Sequence, residues 1–191
     1  MRVISGIYRS RAIAMPQGVK IRPTQDKVRE AIFNLLGDVS GTNVLELFAG
    51  SGAFGIEAIS RGSKRATFVD NNFRCVQTIK SNIESLAIPE TSYDIIRANA
   101  LSVLSRLEKQ SAIYDIVFLD PPYYEGMAKK CLINMDGYDI LSQSGLVIVE
   151  HFRKDSLEAD LKTLILEKER LYGDTAVSTY RKTNLCLKRL R

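Results

Sequence analysis

Val44-Leu45-Glu46-Leu47-Phe48-Ala49-Gly50-Ser51-Gly52-Ala53-Phe54-Gly55 is the stretch that decides the fold. Residues 44–48 read as a buried strand, the glycines as a sharp turn, and 53–60 as a helix. Strand, glycine turn and helix in that order open a βαβ unit, with a ligand expected at the C-terminal end of the strand. Gly50, Gly52 and Gly55 satisfy GxGxxG, which by itself serves a dinucleotide dehydrogenase equally well: in either case glycine lets the backbone turn tightly and approach a ligand. Glu46, four residues before Gly50, separates the readings. A carboxylate there would be repelled by a pyrophosphate but suits a ligand that presents a cation.

The alternation continues outward from this unit. Apolar runs at 66–70, 94–97, 115–119 and 145–150 read as further strands, and 72–86 and 126–135 as helices. The expected architecture is α/β and Rossmann-like, with a mostly parallel central sheet. Asp70, 24 residues after Glu46 at the next strand end, is placed to accept from ribose hydroxyls, with Asn71 beside it. Asn99 and Ala100 follow the third strand, where Asn99 can meet an adenine edge. An adenosine ligand with a cationic end fits all three positions, and S-adenosylmethionine (SAM), with its ammonium group, is such a ligand. Candidate cofactor residues are therefore Glu46, Phe48, Ala49, Gly50, Ser51, Gly52, Asp70, Asn71, Asn99 and Ala100.

Upstream, residues 2–15 predict a short hairpin around Ser5-Gly6, ended by Pro16-Gln17-Gly18. A helix follows with Thr24 as N-cap, Asp26 in its first turn, Val28, Ile32, Leu35 and Leu36 on one face, and Gly37 at C′. Residues 1–37 thus read as a hairpin and helix extension on a domain of residues 38–191. At the other end, Thr175 to Tyr180 and Asn184 to Leu190, around Arg181-Lys182-Thr183, predict a closing antiparallel hairpin.

Composition narrows the chemistry. The chain has 191 residues, 27 Lys+Arg against 22 Asp+Glu, one His, three Cys and no Trp. A Ser-His or Cys-His dyad, or a multi-histidine metal centre, would rest on His151 alone, which reads as a surface or capping residue. Cys75, Cys131 and Cys186 lack metal-site spacing and read as packing residues; no metal is expected. No apolar run exceeds four residues, so no membrane-spanning segment is predicted and the chain reads as cytoplasmic. The charge is uneven: residues 1–35 hold seven basic and two acidic side chains, whereas the remaining 156 balance at 20 and 20. Such a localised positive field is the footprint of a nucleic-acid partner. Arg9, Arg11, Lys20, Arg22 and Lys27, with Thr24, are the candidate nucleic-acid-facing residues, and a solvated basic surface is the plainer alternative.

Asp115-Ile116-Val117-Phe118-Leu119-Asp120-Pro121-Pro122-Tyr123 carries the reacting group. Two prolines cannot continue a central strand, so the chain leaves the sheet in a stiff, preset shape. Neither proline has an N–H, so Asp120 and the proline carbonyls converge as acceptors without competing donors. Such a site grips an amine. An exocyclic amine is a poor nucleophile because its lone pair is delocalised into the ring; two acceptors on its hydrogens favour a pyramidal nitrogen, and Tyr123 can stack on the base. Asp120, Pro121, Pro122 and Tyr123 are the candidate catalytic residues, transferring the SAM methyl in line. Asp120 or water then takes the released proton.

Glu46 to Gly52 followed by Asp120 to Tyr123 resembles the paired motifs of Rossmann-like, SAM-dependent amine methyltransferases. More narrowly, Arg2 to Gly6, the Arg22-Pro23-Thr24 block running through Asn34, and Gly55 to Gly62 resemble the RsmD family over essentially the whole chain. This resemblance implies methylation of the N2 amine of one guanine in bacterial 16S rRNA. SAM is consumed to S-adenosylhomocysteine (SAH), and the substrate is a partly assembled or assembled 30S subunit. The expected enzyme is a monomer. Guanine and RNA come from the resemblance alone. Asn99 and Tyr123 stand where the family commonly has an acid and Phe. The alternatives are another nucleic-acid amine methyltransferase, such as one acting on DNA adenine N6, and more remotely a non-catalytic RNA-binding or ribosome-assembly protein.

Overall fold

Strand and helix alternate as the apolar pattern requires, in a computed structural model that describes residues 1–19, 24–122 and 126–183. Two compact units divide the chain, Met1–Asn99 and Ala100–Arg191. The strand order is β3-β2-β1 within the first unit and β4-β5-β7-β6 within the second.

The first unit holds α1 (Asp26–Leu36), β1 (Asn43–Leu47), α2 (Ala53–Ser60), β2 (Arg65–Asp70), α3 (Phe73–Ser85) and β3 (Tyr93–Arg97). β1 pairs parallel to β2, and β2 parallel to β3. The continuous apolar runs of β1 and β2 reflect burial on both faces, as a parallel sheet covered by helices demands. Val44, Leu45, Phe68, Ile56 and Ile79 are all fully buried in this core.

The N-terminal segment folds back on itself within this unit. Arg2 and Ala12 form an antiparallel bridge, and the Val3 amide donates to the Arg11 carbonyl at 2.9 Å. α1 has Gln25 rather than Thr24 as its N-cap, with no side-chain cap. Its buried face is Val28, Arg29, Ile32 and Phe33. Leu35 and Leu36 are only half-buried, because the helix turns Phe33 inward to stack on Phe54 at 4.8 Å. Gly37 ends the helix with φ 72°, and its amide donates to Phe33.

The second unit holds α4 (Ala100–Lys109), β4 (Tyr114–Leu119), α5 (Met127–Asp136), β5 (Leu141–Phe152), β6 (Leu164–Tyr172) and β7 (Thr175–Lys182). β4 runs parallel to β5; β7 lies antiparallel to both β5 and β6. The closing hairpin among the described residues is β6–β7, turning at Gly173-Asp174. Arg181 and Lys182, expected in the turn, continue β7 opposite Ile165 and Leu164. Asn184 to Leu190 and Cys186 lie outside the described residues.

His151 is also corrected. It is buried in β5 with Nε2 2.9 Å from Ser178 Oγ and Nδ1 3.1 Å from the Phe152 carbonyl, while the Ser178 hydroxyl donates to Glu169 at 3.0 Å. It ties three strands together, and burial lowers its pKa. Cys75 and Cys131 are buried packing residues, and burial pushes both thiols up to about 11. No helix among the described residues is long and apolar enough to cross a membrane.

Candidate active site

In the first unit the loop after β1 is held open by its backbone. Phe48 adopts φ 59°, Gly50 φ 54° and Gly52 φ 74°. A bulky residue in the left-handed region is uncommon, and such strain gathers at ligand sites. Gly55 answers a packing demand: a Cβ there would lie 2.4 Å from the Phe68 ring, so only glycine lets α2 sit this close to β2.

Two carboxylates fix the loop. The Asp70 side chain accepts from the Gly50 amide at 2.8 Å through Oδ2 and from the Asn72 amide at 2.8 Å through Oδ1. Glu46 is 4% exposed, and its oxygens accept from Phe54 at 3.2 Å and Gly55 at 2.9 Å. It therefore caps the first turn of α2, where a carboxylate meets unpaired amides and the positive end of the helix. A carboxylate offers about four lone-pair sites, so each acid keeps acceptor capacity beyond these bonds. Ala49 donates to the Val69 carbonyl at 3.0 Å, Asn71 and Asn99 are exposed, and Ala100 opens α4. A loop with positive-φ glycines and two anchored acids at adjacent strand ends fits an adenosine ligand with an ammonium group.

Burial outweighs the two amide bonds at Glu46 and pushes its carboxyl up to about 8. In the unfolded chain the group ionises near its ordinary 4.5, so between that pH and about 8 the folded state carries a proton the unfolded state lacks. This contribution is fully present below the unfolded value and is lost as pH rises through the folded one. Glu46→Gln removes the titration, so the stability difference between wild type and variant is expected to change by roughly 2–3 kcal/mol between pH 5 and 8. Urea unfolding at a series of pH values measures it; parallel curves for the two proteins would refute the assignment.

The N-terminal segment is fastened to α2 and α3. Glu57, with no exposure, accepts from the Ile4 amide at 2.7 Å, the Ser5 amide at 3.0 Å and Arg61 Nε at 2.7 Å. Arg29 is equally buried, 3.7 Å from Glu57, and donates to the Arg2 carbonyl at 2.5 Å. Of the basic residues near this end, Arg29 is thus an internal brace. The Ser60 carbonyl accepts from Ile7 at 2.8 Å, and the Ser60 hydroxyl accepts from Tyr8 at 3.0 Å. Along α3, Arg11 donates to Ser85 at 3.0 Å and Arg74 to the Gly18 carbonyl at 3.2 Å. Arg9, Arg11 and Lys27 are exposed and Thr24 half-buried; Lys20 and Arg22 lie outside the described residues. Glu57, Ser60 and Asn82 carried no expectation from sequence. A lone acid in the otherwise apolar Ala53-Phe54-Gly55-Ile56-Glu57-Ala58-Ile59 was the available signal, since such a group is buried only with partners.

In the second unit β4 ends at Leu119 and delivers Asp120 directly into the prolines. Asp120 is half-buried and has an interaction partner, Pro121 is buried, and Pro122 is exposed. Tyr123 lies outside the described residues.

A protein-family model described as Conserved hypothetical protein 95 matches residues 1–181. The Bacillus subtilis protein named "Putative rRNA methyltransferase YlbH" is 39% identical over 183 residues, 95% of this chain and 99% of its own. The Escherichia coli "Ribosomal RNA small subunit methyltransferase D" is 30% identical over 183 residues, 95% of this chain and 90% of its own. The chain belongs to the RsmD/YlbH family. Membership of the RsmD/YlbH family extends to the fold: an Escherichia coli structure described as "Putative methyltransferase yhhF" superposes with TM-score 0.80 at 30% identity, covering 96% of this chain and 98% of that one. A structure described as "SMU.776, a putative methyltransferase complexed with SAH" shares the fold at TM-score 0.70 and 19% identity, covering 84% of this chain and 50% of that one. The RsmD/YlbH-family sheet is that of class I methyltransferases, with the antiparallel β7 inserted between β5 and β6.

Proposed function

We propose that this RsmD/YlbH-family protein is a SAM-dependent rRNA methyltransferase acting on the N2 amine of a guanine in 16S rRNA. The observation that carries the chemistry is the end of β4, where Asp120 enters two prolines that offer carbonyl acceptors and no N–H of their own. The substrate rests on the family and its named relatives.

SAM, when bound, supplies an electrophilic methyl group on a sulfonium. The glycine loop and Asp70 hold the nucleoside end, and the free lone pairs of Glu46 serve the ammonium. Asp120 and the Pro121 carbonyl accept the hydrogens of the target amine, so its lone pair leaves the ring and points at the methyl carbon. The N–C bond forms as the S–C bond breaks, its electron pair stays on sulfur to give SAH, and the extra proton leaves the nitrogen for Asp120 or solvent. Tyr123 stacks on the base.

The basic N-terminal segment faces the RNA phosphates. Neutralising Arg9 and Arg11 together is expected to weaken RNA binding and to flatten its log-log salt dependence by about one unit per lost phosphate contact. An unchanged slope in a binding titration places both arginines outside the RNA face.

The deciding experiment is transfer of labelled methyl from SAM to unmodified 30S subunits, naked 16S rRNA and duplex DNA, with nucleoside analysis of the product. N2-methylguanosine from ribosomal RNA is expected. N6-methyladenine from DNA, or no transfer to any of the three, overturns the assignment.

A further inference from the structure

Asn82 lies in the interior of α3 and is 2% exposed, a position where an apolar side chain would pack without polar atoms to satisfy. Its carboxamide joins two distant segments. Nδ2 donates to the Ser51 carbonyl at 2.9 Å and to the Ala14 carbonyl at 3.1 Å, and Oδ1 accepts from the Ala14 amide at 2.8 Å. Ser51 stands between Gly50 and Gly52 in the glycine loop. Ala14 belongs to the segment that carries Arg9 and Arg11, and this segment runs along α3, with Arg11 at Ser85, Ala14 at Asn82 and Gly18 at Arg74.

The amide is planar and both its donors are in use, one on each side. A shift of the Ser51 peptide that turns the Asn82 side chain must be answered at Ala14, or a buried donor loses its partner. Glu57 and Ser60 fasten the other arm of the same hairpin to the last turns of α2, so the segment has few other ways to yield.

We propose that Asn82 is a positioning residue that couples the glycine loop to the basic N-terminal segment, so that cofactor and RNA bind this chain with linked affinities. The proposal rests on the function above, which places SAM or SAH at the loop and RNA on the segment. Linkage is reciprocal: if SAH tightens RNA binding by some factor, RNA tightens SAH binding by the same factor. A factor of about ten lies within the usual range for two coupled sites.

The test measures four dissociation constants by titration: SAH with and without saturating 16S rRNA transcript, and the transcript with and without saturating SAH. The wild-type protein is expected to show equal enhancements of about tenfold in the two directions. Asn82→Ser and Asn82→Asp remove the donors to Ser51 and Ala14; each is expected to bind SAH alone within about threefold of wild type while the enhancement falls to about one. A merely structural asparagine lowers the melting temperature of the variants and leaves the enhancement intact, and that result overturns the proposal.

Hydrogen exchange on the wild-type protein supplies a measurement that no folding defect can obscure. SAH is expected to slow exchange of the Ala14 amide by about the same factor as the coupling, because that amide donates to Asn82; an unchanged rate overturns the proposal. If the wild type binds both SAH and the transcript, but independently, the coupling fails and the proposed function stands. If it binds neither, both fall.

Discussion

Asp120→Ala is expected to lower methyl transfer by about 10²–10⁴-fold while the affinity for SAH stays within a few-fold of wild type. The separation follows from where the two jobs reside. The residues proposed to hold the cofactor are built on β1 and β2, through Glu46, Asp70 and the backbone between them. Asp120 directly follows β4, and its carboxylate is proposed to work on the target amine. Asp120→Asn sharpens the result. It keeps one acceptor oxygen but adds an NH2 donor, which opposes another amine. If grip on the amine dominates, the Asn variant retains more activity than Ala; if proton acceptance dominates, the two are equally poor. Single-turnover transfer and SAH titration on the same preparations measure both quantities. A loss of SAH affinity that parallels the loss of rate would move Asp120 into the cofactor site.

The strands of the first unit were legible because β1 and β2 are mainly apolar runs buried along most of their length, and β3, half-buried, keeps Ile95 and Ile96 at its centre; the observed β1, β2 and β3 begin one residue before the expected ones. β6 was not legible for the complementary reason. Glu167-Lys168-Glu169-Arg170 carries charge on both faces of an exposed edge strand, and a bulge between Leu166 and Lys168 breaks the alternation. Charged, irregular edges protect a sheet from pairing with another chain, and they also erase the period-two signal that marks a strand. With β6 unrecognised, β7 was given the wrong partner. α4 was legible and was not read: Ala100, Val103, Leu104 and Leu107 have helical spacing and are its buried face.

The candidate site divides along a similar line. The residues proposed to act through their own chemistry, Glu46, Asp70 and Asp120, lie at or near strand ends, Glu46 before the glycine loop and Asp120 before the proline turn. Those that act through another segment do not. Glu57, Ser60 and Asn82 matter because Ile4, Ser5, Tyr8 and Ala14, 52 to 68 residues away, donate to them. Local spacing contains no record of such pairings. The basic segment shows the converse: seven cations looked alike in sequence, yet Arg29 is buried against Glu57 and Arg11 already holds Ser85. Net charge therefore overstates the cations the segment can offer to phosphate.

Gly6→Ala is expected to release the N-terminal hairpin from α2. Gly6 has φ +82°, and a Cβ built on it would lie 1.7 Å from the Ser60 carbonyl oxygen and 2.2 Å from the carbonyl carbon. These are backbone atoms at the end of α2, so no side-chain rotation relieves the clash. The carbonyl cannot simply retreat either, because it accepts from the Ile7 amide at 2.8 Å. Lifting the turn costs that bond and the bonds from Ile4, Ser5 and Tyr8, and it strips amide partners from the buried carboxylate of Glu57. A loss of roughly 3 kcal/mol or more follows, a drop of about 10 °C in melting temperature for a chain of this size. RNA binding is expected to weaken by about 10²-fold, since a loss of order 3 kcal/mol in holding the hairpin corresponds to about that factor, while SAH binding moves little. Gly18→Ala is the control. It also has positive φ, but its Cβ meets only the guanidinium end of Arg74, at 2.4 Å, and a flexible side chain can move aside. Its cost is the backbone strain, about 1 kcal/mol, together with the exposed hydrogen bond from Arg74 to the Gly18 carbonyl. Thermal unfolding with paired RNA and SAH titrations separates the outcomes: a destabilised Gly6→Ala protein that still binds RNA at wild-type strength would remove the hairpin from the RNA face and leave it a purely structural clasp on α2.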